Sequence, residues 1–188
     1  MKFDLTTKQS TSLANMYMGK HFGSPNDIAA HKSGSIYFTD PAAEKGSRPQ
    51  ELPTAVYRID PQGQLTVVDQ VDKANGVNFS PDESLLYVSN YDSFVRVYDV
   101  APDGVASNGR QFLGVGSDGM TVDCAGNVYT TAGEVRVWSP QGQMIGTIPG
   151  TGTATNVAFG GPNKKTLFIT SFAGDLKSIE LNVPGMPY

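Results

Sequence analysis

Four polar residues with oxygen donors recur along the chain at intervals typical of a repeat. They are Asn26, Asn75, Asp118 and Asn156, which lie 49, 43 and 38 residues apart, and each opens a short apolar run. Carboxylate and amide oxygens gathered at one centre are the ligands that hard divalent cations such as calcium prefer. Asn and Asp also cap turns at strand starts in many proteins. Composition alone therefore leaves both explanations open.

The segments after these four residues follow one plan: a short apolar strand, a tight turn and a second strand. The turns carry strong turn signals, as in Ser80-Pro81-Asp82 and Ala125-Gly126-Asn127. The third strands also resemble one another, reading VYRID at 56–60, VRVYD at 95–99 and VRVWS at 135–139. Repeats of about 40 residues, each with four short antiparallel strands, are typical of β-propeller blades.

Almost no helical periodicity is present, and the alternating apolar runs between turn signals predict an all-β chain. One or two opening strands are expected near residues 3–5 and 11–13, followed by a connecting loop at 16–23. The four repeats place strands at 27–30, 35–39, 55–59 and 65–69; at 76–79, 85–89, 94–99 and 110–113; at 119–122, 127–130, 134–138 and 143–148; and at 156–159, 166–170 and 176–181.

These strands predict a single β-propeller domain over residues 1–188, with four-stranded antiparallel blades and strands enough for about four of them. In a propeller the first strand of each blade lines the central channel, so the four opening residues should converge near one mouth. A β-sandwich is the alternative fold, but it would not explain why the third strands resemble one another.

Composition and charge limit the classes of partner. The 188 residues are 39% hydrophobic and 17% charged, with a net charge of −4 and no run of Lys or Arg, which argues against nucleic acid or an anionic membrane as partner. No apolar stretch approaches the roughly 18 residues of a membrane span, and residues 1–8 do not resemble a signal peptide. We therefore expect a cytoplasmic protein, or a periplasmic one if an N-terminal segment is missing.

Six motifs, taken in order and spacing, resemble the SMP-30/gluconolactonase/LRE-like family of six-bladed propellers. The resemblance runs from about residue 19 to residue 181. The motifs are Ser24-Pro25-Asn26-Asp27, Ala74-Asn75-Gly76-Val77, Ser80-Pro81-Asp82, Asp118-Gly119-Met120 with Asp123, Gly126-Asn127-Val128-Tyr129 and Thr155-Asn156-Val157-Ala158-Phe159-Gly160-Gly161.

This resemblance implies a hydrolase of sugar-acid metabolism that opens sugar lactones with a divalent metal on the propeller axis. It places Asn75 and Asp118 on metal ligands and Asn26 on a position that binds metal or substrate, whereas Asn156 matches no ligand. The implied cation polarises the lactone carbonyl and activates a water, and Asp118 is the catalytic residue that accepts the proton of that water. Calcium is the expected ion, with zinc, magnesium, manganese and iron(II) as alternatives.

Two further features are assigned a role near this site. His21 precedes Asn26 by five residues and is a candidate for substrate binding. The polar insert at residues 40–53 is long for a loop in a compact domain, so we expect it to act as a lid.

His31 falls in a turn and should be exposed. Cys124, the single cysteine, is predicted on the side far from the site, and Tyr57 and Trp138 should pack in the core.

The chain departs from the family pattern in two ways. No residue matches the glutamate that is the family's remaining metal ligand, and about two of the six blades are absent, which implies N-terminal truncation relative to the family. The ring could close with four blades, the opening strand at 3–5 completing the last sheet. It could instead close by association of two chains through unpaired blade edges, or stay open.

Two alternative functions are a non-catalytic binding or scaffold module and a related metal-dependent esterase or phosphotriesterase.

Overall fold

The computed structural model describes residues 1–41 and 49–186, which form β-strands joined by turns. Two short ribbons come first. In these, β1 (Lys2–Phe3) pairs with β2 (Ser10–Thr11), and β3 (Met16–Tyr17) pairs with β4 (Lys20–His21). Four larger antiparallel sheets follow in chain order, each built from consecutive strands. Within the described ranges, no helix has the length and apolar character of a membrane span.

We call the four sheets blades 1 to 4. Blade 1 contains β5 (Ile28–Ala30), β6 (Ile36–Asp40), β7 (Ala55–Ile59) and β8 (Leu65–Asp69). Blade 2 contains β9 (Ala74–Phe79), β10 (Leu85–Asn90), β11 (Val95–Val100) and β12 (Ala106–Leu113). Blade 3 contains β13 (Met120–Val122), β14 (Val128–Ala132), β15 (Glu134–Trp138) and β16 (Met144–Ile148). Blade 4 has three strands, β17 (Ala154–Gly160), β18 (Thr166–Ser171) and β19 (Leu176–Glu180).

Hydrophobic clusters between neighbouring blades hold the sheets face to face. Strand β10 shows how this arises, because successive side chains of a strand point to opposite faces. Leu86 and Val88 pack toward blade 1 in a cluster with Tyr37, whereas Tyr87 packs toward blade 3 in a cluster with Met120. A third cluster joins blades 3 and 4. The predicted all-β propeller architecture is therefore confirmed, with blades in sequence order.

The two outer faces of this array differ. Residues of the N-terminal segment cover blade 1, where the Phe22 ring lies edge-on to Phe38 and Tyr57 at centroid distances of 5.2 and 5.1 Å. The expected loop at 16–23 was wrong in part, because it contains β3 and β4 and packs its aromatic residues on blade 1. Strand β1 pairs with β2 and not with β19, so the opening strand does not complete blade 4.

The outer face of blade 4 is open to solvent. Phe168 and Leu176 are 38% and 67% exposed. They share a face, since Phe168 pairs with Ser178 and Leu176 pairs with Thr170. Leu167 and Ile169, on the other face of the same strand, are buried against blade 3. One face of this blade is thus packed and the other is available for contact.

The burial of four side chains away from the mouth of the channel can be compared with the sequence predictions. Only 4% of the His31 surface is exposed, so the prediction that His31 is exposed was wrong. Its Nδ1 lies 2.9 Å from Ser33 Oγ, and its ring packs on Phe79 of blade 2 at 5.3 Å. Tyr57 is fully buried, and Trp138 packs against the cluster between blades 2 and 3, as predicted. Cys124 is exposed.

Candidate functional site

The first strands of the four blades surround a common cavity, which marks the propeller axis. This cavity has a volume of about 220 Å³ and is lined by residues of β5, β9, β13 and β17, together with Asp27 and Met186. The first strands therefore line the central channel, as the repeat predicted. Asn75, Asp118 and Asn156 lie at the start of their strands or just before them, at one end of this channel.

Hydrogen bonds between neighbouring blades fix the mouth of the channel. The Gly76 N–H donates to the Asp118 carbonyl oxygen at 3.0 Å, and the Gly119 N–H donates to the Thr155 carbonyl at 2.7 Å. Between blades 1 and 2 the link is a side chain, since the Val77 N–H donates to Asp27 Oδ2 at 2.8 Å. These three contacts hold the residues at the mouth in a fixed relation.

Glycine is required after both Asn75 and Asp118 because the inner strands approach closely. A Cβ atom on Gly76 would lie 2.9 Å from the Asp118 carbonyl oxygen. A Cβ atom on Gly119 would lie 2.1 Å from Asn156 Oδ1 and 2.9 Å from the Asn156 Cα. The Asn-Gly and Asp-Gly pairs therefore reflect close packing of strands at the axis, and Asn156 occupies the space that Gly119 leaves.

The structure brings Asn75 and Asp118 together. Asn75 is buried, with 8% of its surface exposed, and Asp118 is half-buried. Burial raises the pKa of the Asp118 carboxyl, a hydrogen-bonding interaction with the Asn75 side chain lowers it, and the charge of Asp27 raises it. The net direction is upward, which makes Asp118 a stronger base than an exposed aspartate.

Asp27 lies with Asn75 and Asp118 at the mouth of the channel, and the sequence did not predict it as a site residue. Burial raises its pKa, while hydrogen bonds from the Val77 and Ile28 N–H groups lower it. Its negative charge acts on Asp118, so two carboxylates with raised pKa values lie near one another. The repeat does contain a difference that distinguishes Asp27. Blades 2 and 3 have glycine directly after the opening residue, at Gly76 and Gly119, whereas blade 1 has a charged residue there.

Asn26 lies apart from the Asn75 and Asp118 pair. Its side chain is exposed and makes no hydrogen bond to another residue of the described ranges, and its backbone N–H donates to the Thr39 carbonyl at 2.9 Å. It lines a separate pocket of about 230 Å³ whose walls include Met1, Leu13 and Phe22. Its predicted contact with metal or substrate stays a prediction.

The turn before Asn26 is held by a second carboxylate that the sequence interpretation did not single out. Asp40 is fully buried and accepts hydrogen bonds from the Gly23 and Ser24 N–H groups at 2.9 and 2.7 Å. Burial raises the pKa of Asp40, and these two N–H groups lower it. Asp40 also begins the predicted lid at 40–53, but residues 42–48 lie outside the described residues, so the lid stays a prediction.

His21 lies on β4, in the segment that covers blade 1. Its backbone N–H donates to Glu51 Oε2 at 2.7 Å. Its ring Nδ1 is buried and has no hydrogen-bond partner among the residues that the structure describes. No contact joins it to Asn75 or Asp118 within those residues. Its substrate-binding role stays a prediction.

The donor set at the mouth fits a hard cation. Two carboxylates, Asp27 and Asp118, lie near the amide of Asn75, and hard divalent ions prefer such oxygen donors. In the described part of the chain, no cluster of three or more His, Cys, Asp or Glu side chains has the arrangement of a metal site. An ion at this position would therefore take an amide oxygen as well as carboxylate oxygens.

Comparison with known proteins gives relatives that agree in sequence and in fold. A gluconolactonase of Zymomonas mobilis subsp. mobilis is 32% identical over 194 residues, which cover 91% of this chain and 54% of that protein. A pentonolactonase, XacC, of Haloferax volcanii is 31% identical over 165 residues, covering 80% of this chain and 54% of that protein. The chain thus spans about half the length of the curated relatives that it matches.

Solved structures give the same result. The structure of a gluconolactonase of Xanthomonas campestris has a TM-score of 0.81 and 31% sequence identity, and the match covers 97% of this chain and 64% of that one. The sequence profile of the SMP-30/Gluconolactonase/LRE-like region matches residues 1–173. The motifs at Asn75 and Asp118 lie within that match. The chain therefore belongs to the SMP-30/gluconolactonase/LRE-like family.

Proposed function

We propose that this protein hydrolyses a sugar lactone, opening the ring ester to an aldonic acid beside Asp118. The observation that carries the proposal is the placement of Asn75 beside Asp118 at the mouth of the channel, where the Gly76 N–H donates to the Asp118 carbonyl at 3.0 Å. The relatives named as gluconolactonase and pentonolactonase, at 32% and 31% identity, support the class of substrate. The reaction adds water across the acyl C–O bond, so it needs a base, a site for the carbonyl oxygen and a bound ring.

Asp118 is the base in this proposal. Its raised pKa follows from burial, and a carboxylate with a raised pKa accepts a proton from water more readily. Asn75 faces the carboxylate and holds it in place, while Gly76 and Gly119 fix the strands on either side. Asp27 links blades 1 and 2, because its carboxylate accepts a hydrogen bond from the Val77 N–H. We assign contact with metal or substrate to Asn26 on the family resemblance, and contact with substrate to His21 because it precedes Asn26 by five residues.

The proposal includes a divalent cation, with calcium preferred over zinc, magnesium, manganese or iron(II). Asp118, Asn75 and Asp27 would hold it through oxygen atoms, and Asp27 would supply the second carboxylate that the predicted ligand set lacked. Such an ion, when bound, polarises the lactone carbonyl and acidifies a bound water. The alternative function is a propeller module that binds a partner without catalysis.

Calorimetric titration with calcium and with zinc separates these proposals. We expect the wild-type chain to bind one of the two ions and Asp118→Ala to bind it at least about tenfold more weakly, because a carboxylate ligand is lost. Hydrolysis of glucono-1,5-lactone, followed by acid release, is measured on the same samples. Ion binding without hydrolysis would support the non-catalytic module, and hydrolysis of an aryl phosphotriester in preference to the lactone would support the phosphotriesterase.

We also propose that two copies associate through blade 4, whose exposed apolar face and free β19 edge support it. Light scattering should give a mass above the 20.0 kDa of one chain, decreasing on dilution. Phe168→Glu should weaken association, whereas Met144→Glu, at an exposed apolar site on blade 3, should not. A mass of 20.0 kDa at every concentration would refute association.

A further inference from the structure

A cleft borders Asp118 at the mouth of the channel, separate from the axial cavity. Its volume is about 330 Å³, near the lower end of the roughly 300–1,000 Å³ of small-molecule sites. It lies between loops of blades 2, 3 and 4. Its walls include Tyr91, Asp92, Asp118, Thr131, Thr153 and Phe172.

Two exposed aromatic side chains flank the cleft. Tyr91 follows β10 of blade 2 and is 41% exposed, and Phe172 follows β18 of blade 4 and is 72% exposed. Apolar side chains grouped around a concave surface are a common feature of small-molecule sites. The C–H faces of a sugar ring are apolar, so such a ring gains by packing against an aromatic face.

Both aromatic side chains stand on loops that backbone hydrogen bonds hold in place. The Tyr91 N–H donates to the Lys73 carbonyl at 3.0 Å, and the Phe172 N–H donates to the Thr153 carbonyl at 3.0 Å. Asn90 Oδ1 accepts from the Asp92 and Ser93 N–H groups, each at 2.8 Å. The backbone of both loops is therefore ordered before a ligand arrives, which lowers the entropy cost of binding.

Polar groups on the walls match the hydroxyls of a sugar. The Thr153 hydroxyl makes no hydrogen bond to another residue in the described part of the chain, so it is free to bind a ligand. The Asp92 carboxylate is paired with Lys73 and keeps acceptor capacity for a hydroxyl donor. The Thr131 hydroxyl donates to the Gly119 carbonyl at 2.8 Å, so its proton is not available to a ligand. The combination of apolar walls and few polar groups is typical of a small polar ring site.

We propose that this cleft, which we call the ring cleft, holds the lactone ring during hydrolysis. Tyr91 and Phe172 pack against the ring, and Asp92 and Thr153 bind its hydroxyls, with the ester group toward Asp118. This inference rests on the proposed function, because it locates the substrate of that reaction. The axial cavity is a poorer site for the ring, since it holds about 220 Å³ and Met186 occupies one wall.

Two variants test the ring cleft, Tyr91→Ala and Phe172→Ala. Each should raise the KM for glucono-1,5-lactone about three- to tenfold, since each removes one aromatic wall, while kcat changes less than about twofold. The same variants should weaken, by the same factor, the binding of 1,5-anhydroglucitol measured by calorimetry. This cyclic ether has the ring of the lactone without its carbonyl, so its binding is measured without turnover.

Phe3→Ala is the matched control, because Phe3 is 55% exposed and lies on β1, remote from the cleft. It should leave KM and the anhydroglucitol affinity unchanged. Unchanged KM and affinity in both cleft variants would overturn the ring cleft while leaving hydrolysis standing. Ring binding that both variants weaken, without any hydrolysis by the wild type, would sustain the cleft and overturn the proposed function. A wild type that neither binds the ether nor hydrolyses the lactone would overturn both.

Discussion

Replacing Asp118 by asparagine should lower kcat/KM for glucono-1,5-lactone by two to four orders of magnitude, the usual contribution of a general base, of order 10² to 10⁴. Asparagine has nearly the same shape but cannot accept the proton from water. Stability should stay the same or increase. The raised pKa of Asp118 means that the fold disfavours its ionised form, and the variant removes that charge. Steady-state kinetics and thermal unfolding of the same samples measure both effects.

Asp175→Asn is the control for this variant. Asp175 is an exposed aspartate in the loop between β18 and β19 and pairs with Lys177 at 3.4 Å. We expect its replacement to leave kcat/KM within about twofold of the wild type, since surface ion pairs of this kind contribute little. If Asp118→Asn kept more than half of the wild-type turnover, the base would have to be sought elsewhere.

Replacing Gly119 by alanine should destabilise the fold by about 2–4 kcal/mol, the range of a substitution that forces atoms into occupied space. The added Cβ would lie 2.1 Å from Asn156 Oδ1 and 2.9 Å from the Asn156 Cα, and relieving the backbone contact requires blade 3 or blade 4 to shift at the axis. At 2–4 °C per kcal/mol for a chain of this size, the melting temperature should decrease by roughly 4–16 °C. Thermal and urea unfolding both measure the change.

Gly146→Ala provides the comparison, because a Cβ on Gly146, also in a strand, would meet no atom within 4 Å. This variant should be neutral or slightly stabilising. Asn156→Ala in the Gly119→Ala background should recover part of the loss, since it removes the Oδ1 atom, although the Asn156 Cα remains 2.9 Å away. Equal stability of Gly119→Ala and Gly146→Ala would show that the inner strands are less tightly packed than described.

The repeat pattern was enough to predict the blades, because each strand and turn is specified by nearby residues. Alternating apolar positions place Leu86 and Val88 on one face and Tyr87 on the other, whatever packs against them. Predicted and observed strands accordingly agree within a few residues, as at β7 and β8. Blade order follows from the same local information, since consecutive blades are neighbours.

The candidate site was predicted less completely, because it depends on single positions. In a strand, moving by one residue reverses the face that a side chain occupies. Asn26 and Asp27 are adjacent in sequence, yet Asp27 accepts a hydrogen bond from Val77 of the next blade, whereas the Asn26 side chain is exposed. The repeat placed Asn75 and Asp118 at the openings of adjacent blades, and the Gly76 N–H does donate to the Asp118 carbonyl at 3.0 Å.

Contacts from distant parts of the chain account for the remaining errors. His31 sits in a turn that looks exposed in sequence, but Phe79 and Glu83 of blade 2 cover it. The pairing of β1 with β2 depends on a turn in which Asp4 Oδ1 accepts from the Thr6 and Thr7 N–H groups, each at 2.8 Å. Neither contact leaves a periodic signal in the sequence.

The position of Cys124 has a practical consequence. It is the only cysteine, it is exposed, and it follows the end of β13 opposite to Asp118. Its backbone N–H donates to the Pro184 carbonyl at 2.9 Å, which fixes the main chain at this position. A maleimide linker would therefore attach the protein to a solid support at one defined point, at the end of β13 opposite to Asp118, with no mutation needed.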